Sequence, residues 1–154
     1  MEYLLKTSLN KEQYNNLLIF LKEVSNEFIL VKRKQFKFNE KAEKIMSDLT
    51  AQLVKKITSN EWPGTKLLGN NDLAEIFYFK VNEESTEILK RYSTGLSDWV
   101  APELPEDLAF FRRNGSLILS SVIHEGDCWL DLTDGEVQLI KTRYPVLAEQ
   151  LIVR

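Results

Sequence analysis

The last third of the chain, residues 105–137, constrains the fold more than any other part of the sequence. An Asn-Gly dipeptide at positions 114–115 is typical of a two-residue β-hairpin turn, and residues 124–127 carry a second turn signal. Thr133 and Glu136 then have the spacing of a helix capping box. The segment therefore predicts three consecutive antiparallel strands followed by a helix.

The rest of the chain alternates between helical and extended patterns. Apolar spacing predicts helices over residues 11–24, 40–58 and about 83–92, and strands over residues 3–7, 28–31, 35–38 and 74–81. Turn signals lie at residues 63–64 and 69–72. Because the strands are not joined by regular helical crossovers, we expect an α+β fold in a single domain over residues 1–154. Its mainly antiparallel sheet should have about five to six strands with three to four helices packed on it.

The helix predicted over residues 40–58 has the clearest amphipathic pattern in the chain. Asn39 is a suitable N-cap, and apolar residues recur at helical spacing over about four turns. Leu49 lies at the centre of this apolar stripe, so the pattern predicts that its side chain is buried against the sheet.

Composition limits the classes of protein that the chain can belong to. Its 154 residues are 44% apolar and 28% charged, which is typical of a globular protein. One cysteine, Cys128, cannot form an internal disulfide, and no segment approaches the roughly 20 apolar residues of a membrane span. The N-terminus lacks the features of a secretory signal. These observations predict a cytoplasmic protein with no membrane partner, and they leave homo-oligomerisation open.

The only histidine and the only cysteine lie four positions apart, as His124-Glu125-x-x-Cys128. A zinc site needs three or four ligands, and this segment supplies one histidine and one cysteine, so we predict no metal and no cofactor. Free cysteines are usually buried, which favours core packing of Cys128 over a nucleophilic role. No glycine motif for nucleotides and no esterase motif is present, and no catalytic residue is predicted. One alternative is a small-molecule-binding protein or small enzyme with a pocket around His124, Glu125 and Cys128.

A second alternative is nucleic-acid binding through the basic segment at residues 32–37. Lys32, Arg33, Lys34 and Lys37 are interleaved with aromatic residues, as in surfaces that bind single strands. Basic residues beside a strand also protect sheet edges from aggregation, and the net charge of −3 disfavours a polyanionic partner. Nucleic-acid binding is therefore the weaker hypothesis.

Acidic residues are concentrated in the second half of the chain. Residues 78–154 contain 8 Lys/Arg and 13 Asp/Glu, a net charge of −5. A loop tryptophan, Trp99, is typical of binding surfaces. We therefore predict a non-enzymatic protein that binds another protein, with a contact surface composed of the residues Trp99, His124, Glu125, Asp127 and Asp131.

A family resemblance points in the same direction. Within residues 105–136, the residues that carry it are Pro105-Glu106-Asp107-Leu108-Ala109-Phe110-Phe111-Arg112, Asn114-Gly115, His124-Glu125, Leu130, Leu132-Thr133 and Glu136. Through these residues the segment resembles a group of small, poorly characterised bacterial proteins, some labelled as stage III sporulation-related and others similar to immunity proteins of toxin systems. The resemblance covers about a fifth of the chain and carries no catalytic residues. It implies a bacterial protein of the immunity-like or adaptor class.

Overall fold

An eight-stranded antiparallel sheet forms the frame of the protein. The computed structural model describes residues 1–69 and 73–154. The strands are β1 (Glu2–Leu5), β2 (Glu27–Arg33), β3 (Leu53–Ser59), β4 (Glu61–Trp62), β5 (Thr65–Lys66), β6 (Ala74–Lys80), β7 (Glu106–Phe111), β8 (Leu117–Val122), β9 (Asp127–Asp131) and β10 (Leu151–Val153). The sheet has the order β10-β1-β9-β8-β7-β2-β6-β3, while β4 and β5 form a separate hairpin.

All five helices contribute buried side chains to the same apolar core. They are α1 (Lys11–Val24), α2 (Glu40–Asp48), α3 (Glu83–Tyr92), α4 (Asp134–Arg143) and α5 (Pro145–Ala148). Phe28 and Leu30 of β2 point into this core, whereas Ile29 and Val31 belong to a second, smaller apolar cluster. Since side chains alternate along a strand, the helices cover one face of the sheet and leave the second face to other elements.

The fold class predicted from the sequence is confirmed as α+β, but the sheet is larger than expected. Within residues 1–69 and 73–154 it has eight strands instead of five to six, and these residues form five helices instead of three to four. The additional strands include β3, which overlaps the end of the helix predicted over residues 40–58, and β10, within residues 146–153, a segment whose sequence fits a short helix or a strand. The turn predicted at residues 69–72 lies mostly outside the described residues.

The predicted helix over residues 40–58 was wrong in its second half. Helix α2 ends at Asp48, a 3-10 turn follows, and β3 occupies Leu53–Ser59 at the edge of the sheet. Apolar residues at helical spacing also occur in this strand, where β-branched side chains favour extended backbone. Leu49 is nevertheless fully buried, whereas Leu53, Val54 and Ile57 are between 38% and 44% exposed.

The chain does not form the strand predicted at residues 35–38. It turns after Arg33, the last residue of β2, and continues as a loop to the start of α2. Alternation of polar and aromatic residues therefore did not indicate a strand here, because the segment pairs with no neighbouring strand.

The predicted helix starts at residues 11, 40 and 83 agree with the structure, as do the predicted ends at residues 24 and 92. Asn10 accepts a hydrogen bond from the Gln13 backbone N–H at 2.8 Å, and the Gln13 side chain accepts one from the Asn10 N–H at 2.9 Å. Thr133 and Glu136 form the predicted capping box at the start of α4 in the same reciprocal manner. These caps are local interactions of three residues' span, so sequence spacing alone specifies them.

Candidate functional site

Three buried charged side chains and one partly exposed histidine lie close together on the face of the sheet opposite the helices. Arg33 at the end of β2, Glu106 and Asp107 at the start of β7, and His124 in the turn after β8 make up this group, here called the charge cluster. Glu106 is only 2% exposed and Asp107 only 1%. Carboxylates are rarely buried to this extent without a specific partner or a functional reason.

A bulge at the start of β7 brings two consecutive carboxylates to the same guanidinium group. Glu106 lies opposite Val31, and Ala109 lies opposite Ile29, so β7 has one residue more than β2 between these pairs. Asp107 accommodates the extra residue with a left-handed backbone at φ = 55°. Bulges and left-handed non-glycine residues occur preferentially next to functional sites.

The cations of the cluster stand close to the carboxylates without forming tight ion pairs. Arg33 Nε lies 3.7 Å from Glu106 Oε1, and Arg33 Nη2 lies 3.6 Å from Asp107 Oδ2. Both separations exceed the usual length of a direct hydrogen bond. Among the residues that the structure describes, Glu106 Oε1, Asp107 Oδ1 and both of these Arg33 nitrogens have no hydrogen-bond partner.

The β4–β5 hairpin closes the charge cluster through Trp62. Its indole Nε1 donates a hydrogen bond of 2.8 Å to Asp107 Oδ2, and the Arg33 guanidinium lies 5.2 Å from the ring centroid. The indole therefore fixes one carboxylate oxygen of Asp107 and shields the guanidinium from water.

Burial dominates the protonation behaviour of the two carboxylates. Desolvation raises the pKa of Glu106, although the nearby Arg33 and His124 charges act in the opposite direction. Desolvation also raises the pKa of Asp107, although the hydrogen bond from Trp62 and the charge of Arg33 both lower it. The positive charge in the cluster thus compensates the two carboxylates incompletely.

His124 is the member of the charge cluster that is partly exposed to solvent. Its Nδ1 lies 3.9 Å from Glu106 Oε2, its Nε2 lies 3.8 Å from Glu125 Oε1, and its side chain is 36% exposed. Glu106, Asp107 and His124 each offer one atom that could bind a metal ion, and these three atoms lie within 4.8 Å of one another. The structure therefore joins the predicted His124 and Glu125 to two carboxylates that sequence reasoning had not selected.

Next to the cluster, on the same face, lies a small cleft with acidic residues at its rim. It has a volume of about 230 Å³ and is lined by Leu4, Gly64, Val122, Glu125, Asp127, Trp129 and Arg154, a set here called the acidic cleft. Asp127 and Trp129 share this face because they alternate with the buried Cys128 along β9. Two of the predicted contact residues, Glu125 and Asp127, thus line one cleft.

The tip of the β4–β5 hairpin forms one wall of the acidic cleft. Gly64 has φ = 84°, which suits the third position of a turn that begins at Trp62 and has Pro63 at its second position. A Cβ atom at this position would lie 2.7 Å from Val122 Cγ2 and 2.8 Å from Trp129 Cη2. Only glycine lets the hairpin tip approach the sheet this closely.

The other predicted contact residues have different surroundings. Asp131 is exposed and pairs with the N-terminal amino group at 3.4 Å, on the same strand face as Asp127 but outside the cleft lining. Trp99 was placed wrongly on an exposed loop, since it is fully buried and its Nε1 donates to Tyr14 Oη at 2.9 Å. Burial raises the pKa of Tyr14 to about 12, so this phenol stays neutral. Trp99 thus forms part of the core and not of a contact surface.

The structure does not bring Cys128 to His124. The thiol is buried in the core covered by the helices, where desolvation raises its pKa and disfavours the thiolate that a nucleophile requires. The imidazole of His124 instead lies beside the carboxylates of Glu106 and Glu125. A pocket formed jointly by His124, Glu125 and Cys128 is therefore not the arrangement found.

The basic segment at residues 32–37 does not present all its cations to one surface. Arg33 is buried in the charge cluster, while Lys32 lies 3.8 Å from Glu43 Oε1 and 4.9 Å from the ring centroid of Phe38. Lys34 and Lys37 are exposed. Because the cations of the segment are divided in this way, they do not form one continuous basic surface for nucleic-acid binding.

Sequence reasoning missed the roles of Arg33, Trp62, Glu106 and Asp107. Two adjacent acidic residues directly before the apolar run of β7 were the one available signal, because such positions are seldom charged inside a sheet. Their partner Arg33 lies more than 70 positions away in the sequence, so no local pattern could have connected them.

Comparisons of the chain with protein-family models, with curated proteins and with solved structures found no match. The resemblance of residues 105–136 to sporulation-related or immunity-like proteins therefore stays a prediction. In the part of the chain that the structure describes, no helix is both long enough and apolar enough to cross a membrane.

Proposed function

We propose that this protein acts without catalysis by binding another protein, and that the acidic cleft receives a basic side chain of that partner. The observation that carries the proposal is the meeting of Glu125, Asp127 and Trp129 around one cleft. A carboxylate rim over an apolar and aromatic floor is suited to a lysine or arginine, whose stem is apolar and whose end is charged.

The charges at the cleft favour a cationic partner. Within residues 1–69 and 73–154, Asp127 has no cation within 4 Å, and the only cation near Glu125 is the titratable His124. Arg154, which also lines the cleft, is paired with Glu2 at 2.9 Å. The negative charge of Asp127 thus remains available to an incoming guanidinium or ammonium group.

The size of the cleft also favours a protein side chain over a free small molecule. Pockets that hold drug-sized ligands have volumes of roughly 300–1,000 Å³, whereas this cleft has about 230 Å³. A cation above the partly buried Trp129 ring would gain a cation–π contact of about 0.5–2 kcal/mol. The cleft would therefore serve as an anchor point within a larger contact surface.

This proposal fits an immunity-like or adaptor protein. Such proteins need a stable scaffold and a charged, aromatic surface, and electrostatic attraction raises their association rates. The acidic second half of the chain, with its net charge of −5, supplies that attraction for a basic partner.

The test is affinity capture from a lysate of the source organism, followed by binding kinetics with the captured protein. The double variant Glu125→Gln with Asp127→Asn should slow association and flatten its dependence on salt, because it removes two exposed charges at the cleft. Trp129→Ala should mainly accelerate dissociation, because an anchor residue loses desolvated contact area.

Matched controls separate the cleft from general effects of charge and aromatic content. Glu87→Gln with Glu103→Gln removes the same number of exposed carboxylates outside the cleft, and Phe36→Ala removes an exposed aromatic residue elsewhere. These variants should bind as the wild type does. Equal effects of the cleft and control variants, or capture of no partner at all, would contradict the proposal.

A further inference from the structure

The charge cluster has more negative charge than its own cations neutralise. Glu106 and Asp107 contribute two carboxylates, Arg33 contributes one positive charge, and the neutral form of His124 contributes none. A net charge buried in a sheet is costly unless a further ion or hydrogen bond compensates it. The two carboxylates also include buried oxygens, Glu106 Oε1 and Asp107 Oδ1, that lack a partner among the described residues.

The geometry points to a binding site for a divalent transition-metal ion, held by Glu106, Asp107 and His124. The sequence argued against a metal because only two ligands lie near each other along the chain. The fold removes that objection, since β7 supplies two carboxylates next to the imidazole and all three ligand atoms lie within 4.8 Å of one another.

In each carboxylate, one oxygen atom lies near Arg33 and the other is available to an ion. Asp107 Oδ2 accepts the hydrogen bond from Trp62 and lies near Arg33, which leaves Asp107 Oδ1 free for an ion. Glu106 Oε1 faces Arg33, and Glu106 Oε2 faces His124. Metal-binding carboxylates are commonly oriented as Asp107 is, by a donor that holds the oxygen not bound to the ion.

The distances are compatible with a small ion after modest adjustment. Ligand atoms at about 2.1 Å from a tetrahedral ion stand roughly 3.4 Å apart. The 3.9 Å between His124 Nδ1 and Glu106 Oε2 is close to that value. His124 lies in a surface turn and is partly exposed, so rotation of its side chain can bring the imidazole to the ion and solvent can fill the remaining positions.

The ligand types select the class of ion. One imidazole with two carboxylates suits Mn²⁺, Fe²⁺, Co²⁺ or Zn²⁺, whereas Mg²⁺ prefers oxygen ligands and keeps most of its water. With Cys128 buried on the opposite face, no thiolate adds a preference for soft metals.

Isothermal titration calorimetry with MnCl₂, ZnCl₂ and MgCl₂, on protein first treated with EDTA, tests this site. We expect one Mn²⁺ or Zn²⁺ per chain and much weaker binding of Mg²⁺. His124→Ala and Glu106→Gln should each weaken Mn²⁺ binding at least about tenfold, and Trp62→Phe should weaken it by about 10–100-fold because it releases Asp107 Oδ2.

Two controls and a spectroscopic measurement locate the ion. Glu87→Gln, which removes an exposed carboxylate from α3, and Cys128→Ser should leave the affinity unchanged. Since His124 is the only histidine, its imidazole signals in an NMR spectrum are unambiguous, and substoichiometric Mn²⁺ should broaden them selectively.

The proposal fails if none of the ions binds, or if binding survives His124→Ala unchanged. It also fails if Cys128→Ser abolishes binding, because the ion would then lie elsewhere. Should Glu106→Gln not fold, His124→Ala still decides the question, since this partly exposed side chain contributes little to the core.

Discussion

The two faces of the sheet differ in what covers them and in what they contain. The face under the helices is lined by large apolar side chains, including Phe28, Phe79 and Phe110. The centroid of the Phe28 ring lies 5.2 Å from that of Phe79 and 5.4 Å from that of Phe110. The other face is covered in part by a short hairpin and contains a smaller apolar cluster beside buried charges. The difference indicates that the helix-covered face supplies most of the stability, while the hairpin-covered face has the chemistry suited to binding.

The largest effect is expected from removing the cation of the charge cluster. Arg33→Met leaves two buried carboxylates without their main compensating charge, and breaking such a buried pair usually costs about 3–5 kcal/mol. Urea denaturation at neutral pH measures the loss in the free energy of unfolding. Arg33→Lys is the matched control and should lose less, because it keeps the positive charge.

The pH dependence of this loss provides a second check. The pKa values of Glu106 and Asp107 are raised in the folded protein, so their contribution favours folding at low pH and is lost as the pH rises through the raised values. Arg33→Met should therefore cost less at acidic pH than at neutral pH, because protonation of the carboxylates removes the charge that Arg33 compensates. A loss that does not change with pH would show that packing, and not charge, explains the effect.

On the helix-covered face, Leu49→Ala should destabilise the protein by about 2–5 kcal/mol, the usual range for a leucine truncated in a core. Leu49 is fully buried at the end of α2. The truncation of Leu68, which is 98% exposed, serves as the control and should change little. A loss under about 1 kcal/mol for Leu49→Ala would mean that this part of the core can collapse into the space.

Gly64→Ala tests how closely the hairpin must approach the sheet. The new Cβ would collide with Val122 and Trp129, whereas a Cβ at Gly115 would have no neighbour within 4 Å although its φ of 86° is similar. Both variants strain a left-handed backbone, so their difference isolates the collision, which should cost about 1–3 kcal/mol. Equal stabilities, measured by thermal unfolding, would show that the hairpin moves away freely.

The smallest effect is expected at the cap of α4. Thr133→Ala removes the acceptor of the Glu136 backbone N–H and should cost about 0.5–2 kcal/mol. Thr142→Ala, an exposed threonine within the same helix, is the control. Chemical denaturation that shows no difference between the two variants would contradict the importance of this cap.

The parts of the fold that the sequence predicted are those set by near neighbours. The capping box of α4 and the hairpin between β7 and β8 depend on residues a few positions apart. The end of α2 was missed because the apolar spacing continues into β3, and only pairing with β6 decides in favour of a strand. Local spacing cannot reveal that pairing.

The candidate site was predicted only in part for the same reason. Glu125 and Asp127 do line a cleft, and His124 does lie next to carboxylates, but those carboxylates come from another strand. Trp99 was assigned to the surface because its segment has the composition of a loop. Its burial depends on a contact with Tyr14, which lies 85 positions earlier in the chain.

The edge strand β3 has a consequence for how the protein behaves at high concentration. Six of its seven residues are exposed, and its outer backbone groups face no other strand of the sheet. Such an edge can recruit another chain into fibrils, and Lys55 and Lys56 at its centre oppose this because two copies would bring like charges together. Acetylation or replacement of these lysines would therefore promote aggregation of the folded protein in concentrated solution.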